Sequence, residues 1–98
     1  MKRCIRLNEA DNVATLLSPA QDKDVFTITD SSGEEVGSIT VCGTVPFAHK
    51  VALKKIEQGA HVVKLGSVIG VATAAIDAGE HAHVHNIASI EGMRGVKK

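Results

Sequence analysis

Three of the five histidines in this chain fall in one run, Gly79-Glu80-His81-Ala82-His83-Val84-His85-Asn86, at a spacing of two. Side chains alternate between faces along a strand. The spacing therefore predicts one strand over residues 81–87, with His81, His83 and His85 on one face. Histidine titrates near neutral pH, so the three are candidate catalytic groups for proton transfer, metal binding or holding an anion. Cα atoms two residues apart in a strand lie about 6.6–6.8 Å apart, and zinc–nitrogen bonds are about 2.0–2.1 Å, so two neighbouring rings can lean onto one ion. His81 and His85, roughly 13 Å apart by the same rise, share one less easily. The expected metal ligands are His83 and His85, with further ligands elsewhere. Two histidines and one carboxylate would suit non-haem iron. Glu80 is close in sequence but falls on the opposite face of an ideal strand. Asn86 ends the row, where it holds a turn or orients a substrate hydroxyl.

His49-Lys50 is a second candidate. An imidazole beside an ammonium grips a carboxylate or phosphate, so His49 and Lys50 join Asn86 as candidate substrate-binding residues. No Ser-His-Asp or Cys-His nucleophile pattern is evident. Gly66-x-x-x-Gly70 lacks the Lys-Ser/Thr of a phosphate loop.

The elements that must position these residues are short and β-rich. Strands are expected over 5–7, 24–29, 36–41, 50–53, 62–65 and 68–73, and a strand or short helix over 13–17. Asp30-Ser31-Ser32-Gly33 is a turn cluster that makes 24–41 a hairpin. Residues 74–78 read as one helical turn or a loop. Ile56-Glu57-Gln58-Gly59-Ala60-His61 and Ile76-Asp77-Ala78-Gly79-Glu80-His81 share Ile-acid-x-Gly-x-His twenty residues apart. The pattern describes a core Ile, a turn that uses glycine's access to positive φ, and a departing strand. The fold class is a mainly β domain over residues 1–90, with a C-terminal tail over 91–98.

At 98 residues the chain supports one small core, built from aliphatic residues with two Phe and no Trp or Tyr. Without aromatic platforms, single-stranded nucleic acid is a poor ligand, and eleven basic against eleven acidic residues give no electrostatic footprint for DNA or RNA. No apolar run approaches the roughly 20 residues of a membrane span, and none follows Met1-Lys2-Arg3 as a signal peptide would require. Cys4 and Cys42 have no metal-finger spacing. The expectation is a cytoplasmic protein with reduced thiols and no membrane contact.

Taken in order, four stretches resemble a known family. They are Pro46-x-x-His49-Lys50-Val51-Ala52-Leu53, Ile56-x-x-Gly59, Val63-Lys64-x-Gly66-x-x-Ile69-Gly70-x-Ala72-Thr73 and Ile76-x-x-Gly79-Glu80-His81-x-His83-Val84-His85-Asn86, with Asp11-Asn12-Val13-Ala14 upstream. Together they are similar to the amino-terminal SAF domain of altronate and galactarate dehydratases and to the small subunit of sulfolactate sulfo-lyase. The resemblance implies a small β-clip fold of short twisted strands. It implies the small subunit of a two-component lyase that eliminates water or sulfite from a sugar acid or related 2-hydroxy acid. It also implies a large catalytic subunit as partner and a divalent metal, usually iron, shared with that subunit. Ala48 stands where the family commonly has Gly, Leu65 where Tyr is common, and Ala82 where Val is common. Two other functions fit the residues: a non-catalytic sugar-acid-binding module, and a homo-oligomeric metal-binding or regulatory protein.

Overall fold

The computed structural model describes residues 2–89. The described residues form strands and turns without a helix. The strands are β1 (Arg3–Ile5), β2 (Val13–Leu16), β3 (Val25–Thr29), β4 (Glu35–Thr40), β5 (Lys50–Ala52), β6 (His61–Lys64), β7 (Ser67–Ala72), β8 (His81–Ala82) and β9 (Ile87–Ser89). One sheet has the order β4-β3-β1-β2-β5-β8 and a smaller one the order β6-β7-β9. The expected mainly β class stands, and no described helix is long and apolar enough to cross a membrane. The expected tail, 91–98, lies outside the described residues.

Strand alternation places the core. In β3, Phe26 and Ile28 are buried while Val25 is exposed. In the central strands β2 and β5, neighbouring residues face opposite ways. Ala14, Leu16 and Val51 join one apolar cluster around Phe26, whereas Val13 and Ala52 join a second around Ile56, Val62 and Ile76. Asp11 and Asn12, both buried, tie the sheets together. Asp11 accepts hydrogen bonds from the amides of Leu7 (3.2 Å), Asn8 (3.1 Å) and Gly66 (2.8 Å). Asn12 Nδ2 donates to the His61 carbonyl (2.9 Å), and Asn12 Oδ1 accepts from Val63 N (2.8 Å), at the bulge in β6. Such buried groups are tolerated because each is satisfied.

The two-copy repeat is half of a larger pattern. Ile56 and Ile76 exchange amide–carbonyl bonds of 2.8 Å in both directions. Gly59 N donates to Ala72 O, and Gly79 N donates to Ala52 O, both at 2.8 Å, so the pattern is kept when the two segments are exchanged. Ala20 and Val45 form an equivalent pair, with bonds of 2.8 and 3.0 Å. Each bridging residue is buried, and each is followed three positions later by a residue with positive φ: Lys23 (73°), Ala48 (70°), Gly59 (86°) and Gly79 (87°). One turn unit thus occurs four times. Only two copies carry glycine, which hid the other two in the sequence.

The structure corrects two expectations and decides a third. The first strand is Arg3–Ile5 rather than 5–7, because the amides of Leu7 and Asn8 turn towards Asp11. Of the two readings of residues 74–78, the loop stands, with Ile76 paired to Ile56. The expected strand over 81–87 ends at Ala82. Asn86 folds the chain back there, donating its amide to the His83 carbonyl (3.0 Å), and the chain resumes as β9 against β7.

Candidate functional site

The antiparallel pairing of β5 with β8 matches Lys50 with Ala82 and Val51 with His81. It sets His49, at the end of the second turn unit, against His81, at the end of the fourth. His49 Nδ1 and His81 Nε2 are 2.9 Å apart in a hydrogen bond, which requires one ring to offer a lone pair. The turn after Ala82 then brings up His83. Its ring stacks on His49 with centroids 4.3 Å apart, and its centroid is 5.4 Å from that of His81. The ring centroids of His85 and His81 are 5.1 Å apart.

The row of imidazoles expected from strand alternation is therefore a folded cluster. Asn86 closes the fold: its Oδ1 accepts from His83 N and its Nδ2 donates to His81 O, both at 2.9 Å. Of the two roles open to Asn86, the structure places its side chain in the turn. Glu80 Oε1 accepts from Asp77 N at 2.8 Å, within the fourth turn unit.

One ring nitrogen from each of His49, His81 and His83 lies within 4.8 Å of the others. Bonds of about 2.0–2.1 Å at right angles put two ligand nitrogens about 2.9 Å apart, the separation already present between His49 and His81. Three imidazoles are a donor set that suits divalent zinc, copper, iron or nickel, so the residues present fit a transition-metal ion. This group takes in His49, which sequence reasoning assigned to a carboxylate, and leaves out His85, which it assigned to metal. The joining of His49 to His81 depends on a pairing between residues 32 apart, for which the sequence carries no local signal.

Burial, then His85, His49, His83 and Lys50, hold the His81 imidazole below the ordinary histidine range. Desolvation, then His49, Lys50 and His85, lowers His83. Both rings therefore favour the neutral form, which binds metals and accepts protons. Lys50 is lowered by burial and by Lys64. Lys50 and His83, with Ile69, Val84, Ile87 and Ser89, line a cavity of about 180 Å³. His81 and His85 open instead on a cavity of about 290 Å³ with Cys42, Gly43, Thr44, Glu80 and Asn86. His61 is exposed at the start of β6, outside the three-nitrogen group. Leu65 lies at the exposed tip between β6 and β7 and lines neither cavity.

The all-strand domain thus carries an imidazole cluster beside a cavity lined in part by Lys50. Comparison with known proteins then gives its family. Residues 2–90 match the altronate/galactarate dehydratase SAF domain, and the chain belongs to that family. It is 35% identical over 82 residues to altronate dehydratase of Escherichia coli (strain K12), covering 84% of this chain and 15% of that protein. It is 36% identical over 90 residues to altronate dehydratase of Bacillus subtilis (strain 168), covering 88% of this chain and 16% of that protein. It is 38% identical over 48 residues to (2R)-sulfolactate sulfo-lyase subunit alpha of Paracoccus pantotrophus, covering 49% of this chain and 72% of that subunit. The chain thus spans under a fifth of the length of the two altronate dehydratases and most of the sulfo-lyase subunit.

Proposed function

We propose that this chain is the SAF component of a lyase that eliminates water or sulfite from a sugar acid or related 2-hydroxy acid, acting with a larger catalytic polypeptide. The observation that carries this reading is the imidazole cluster of His49, His81, His83 and His85 next to Lys50. The family match supplies the reaction class. Elimination next to a carboxylate needs a base at C2, an acid or metal at the leaving group on C3, and a cation for the carboxylate. Of the neutral rings His81 and His83, one whose lone pair is not on an ion accepts a proton, and Lys50 supplies the cation beside His83. A bound divalent ion, for which iron is the family expectation, supplies Lewis-acid polarisation of the leaving group. So small a domain leaves the rest of the site to the partner. The sulfo-lyase relative, itself called a subunit, supports a two-polypeptide arrangement.

The test is co-purification with a larger dehydratase-type polypeptide from the same source, followed by assay on altronate, galactarate and sulfolactate. Elimination and tautomerisation give a 2-oxo acid, detectable as its semicarbazone. Complex formation with turnover of one substrate is expected. Separate polypeptides with no 2-oxo acid would defeat the reading, and binding of a sugar acid without turnover would instead favour a binding module.

A further inference from the structure

Two ammonium groups approach each other from the two sheets. Side chains two residues apart share one face of a strand. Lys50 therefore shares a face of β5 with Ala52, and Lys64 shares a face of β6 with Val62. Ala52, from the large sheet, and Val62, from the small one, belong to the same buried cluster. Lys50 and Lys64 thus lie on the faces that the sheets turn towards each other. Ile69 and Ile87 pack against that cluster and, with Lys50, line the cavity of about 180 Å³. Both lysines are half-buried, and the charge of Lys64 acts on Lys50.

Neither charge is balanced by a neighbouring acid. The ion pairs among the described residues are Lys2–Asp24 and Lys55–Glu57. No acid lines the cavity. Asp11 reaches the end of β6 through Gly66, but its oxygens accept from three backbone amides and pair with neither lysine. His83 favours its neutral form and adds no standing charge. Two like charges held beside apolar walls are unfavourable until anionic groups join them.

We infer that Lys50 and Lys64 form a two-cation grip between the sheets, and that its ligand is a hydroxy acid with two anionic groups rather than one. The hydroxy-acid class rests on the lyase reading, which the grip narrows. A dicarboxylate such as galactarate, or a sulfonate-carboxylate such as sulfolactate, balances both ammonium groups. A monocarboxylate such as altronate leaves one of them bare. Lys64 is then a specificity-determining residue, acting from the opposite sheet to Lys50 and the histidines.

The test is equilibrium binding to the full chain by isothermal titration, with galactarate, sulfolactate and altronate compared at one ionic strength. At least one of the two dianions should bind about 10-fold or more tighter than altronate, the scale of one charge-assisted contact. A preference for galactarate identifies the second group as a carboxylate, and a preference for sulfolactate identifies it as a sulfonate. Lys64→Met keeps the apolar stem and removes the charge. It should bring the dianions to within about threefold of altronate while leaving altronate itself nearly unchanged. Lys54→Met removes an exposed charge elsewhere and should preserve the preference, which separates a local grip from net charge. Circular dichroism checks the fold of each variant, and the preference in the parent needs no variant. Equal affinity for the three acids, binding of none of them, or equal loss of preference in Lys54→Met and Lys64→Met would overturn the inference. Failure of the lyase assay with the preference intact would leave it standing, and turnover without the preference would overturn it while sparing the lyase reading.

Discussion

Replacing Gly79 by alanine should cost several times as much as the same change at Gly59. The two glycines occupy equivalent places in their turn units, with φ of 87° and 86°. Any non-glycine residue there adopts a left-handed conformation, at about 1–2 kcal/mol. The loss is offset by about 0.4–1 kcal/mol, because alanine restricts the unfolded chain. For Gly59 that is the whole effect, since an added Cβ meets nothing within 4 Å. The expected net loss is about 1 kcal/mol. At Gly79 the Cβ would overlap the Thr40 carbonyl oxygen and come within 3.5 Å of Cys42 Sγ. A backbone carbonyl cannot swing aside as a side chain can. Moving the segment adds about 1–3 kcal/mol, for a total of about 2–4 kcal/mol. Urea unfolding followed by circular dichroism reads the difference. With a slope of about 1–2 kcal/mol per molar, the midpoints of the two variants should separate by roughly 1 M. Equal midpoints at unchanged slope would refute the close approach of Gly79 to Thr40. They would also remove the reason for a glycine two residues before His81.

The remaining predictions concern the same framework. Ala48→Gly should raise stability by up to about 1 kcal/mol in the same urea assay, because Ala48 already bears the left-handed penalty at φ 70°. Asn86→Ala removes two side-chain bonds to the His81–His83 backbone and should cost about 1–3 kcal/mol, with shifted imidazole signals in the NMR spectrum. Cys42, exposed, should react with a thiol reagent in the folded protein, whereas Cys4, buried, should react only on unfolding. Burial pushes the Cys4 thiol up to about 11, so the native state resists its ionisation. Stability is then unaffected by this group below its ordinary value near 9, and falls by up to about 2–3 kcal/mol as pH rises from 9 to 11. Cys4→Ala should flatten that slope relative to the parent.

Local pattern carried most of the strands. Alternation and β-branched residues marked β3, and the Asp30 cluster marked its hairpin with β4, where Asp30 accepts from the amides of Ser32 and Glu34 (3.0 and 2.9 Å). The site was legible in its residue types but not in its geometry. Alternation placed His81, His83 and His85 on one strand, whereas Asn86 bends the chain so that the rings of His81 and His83 stack. Asparagine's capacity to bond nearby backbone was the available signal: the turn expected at Asn86 is present, but where it directs the rings is not encoded locally. The second pair of turn units was hidden because Lys23 and Ala48 hold positive φ without the glycine that usually announces it. The partnership of His49 with His81, and the buried Asp11–Asn12 link between sheets, join residues distant in sequence. Neither periodicity nor turn chemistry encodes such contacts.

His61 and His81 occupy equivalent positions in paired turn units, yet His81 stands in the cluster and His61 is exposed. The most direct measurement is therefore 2-oxo acid formation by the reconstituted two-polypeptide lyase carrying His81→Ala, compared with His61→Ala. Loss of a proton-transferring group costs about 10²–10⁴-fold, so His81→Ala should lower kcat by at least about 100-fold. His61→Ala should leave turnover within about twofold of the parent, because its ring is outside the site. Full turnover by His81→Ala, or equal losses in the two variants, would contradict a role for the imidazole cluster in the reaction.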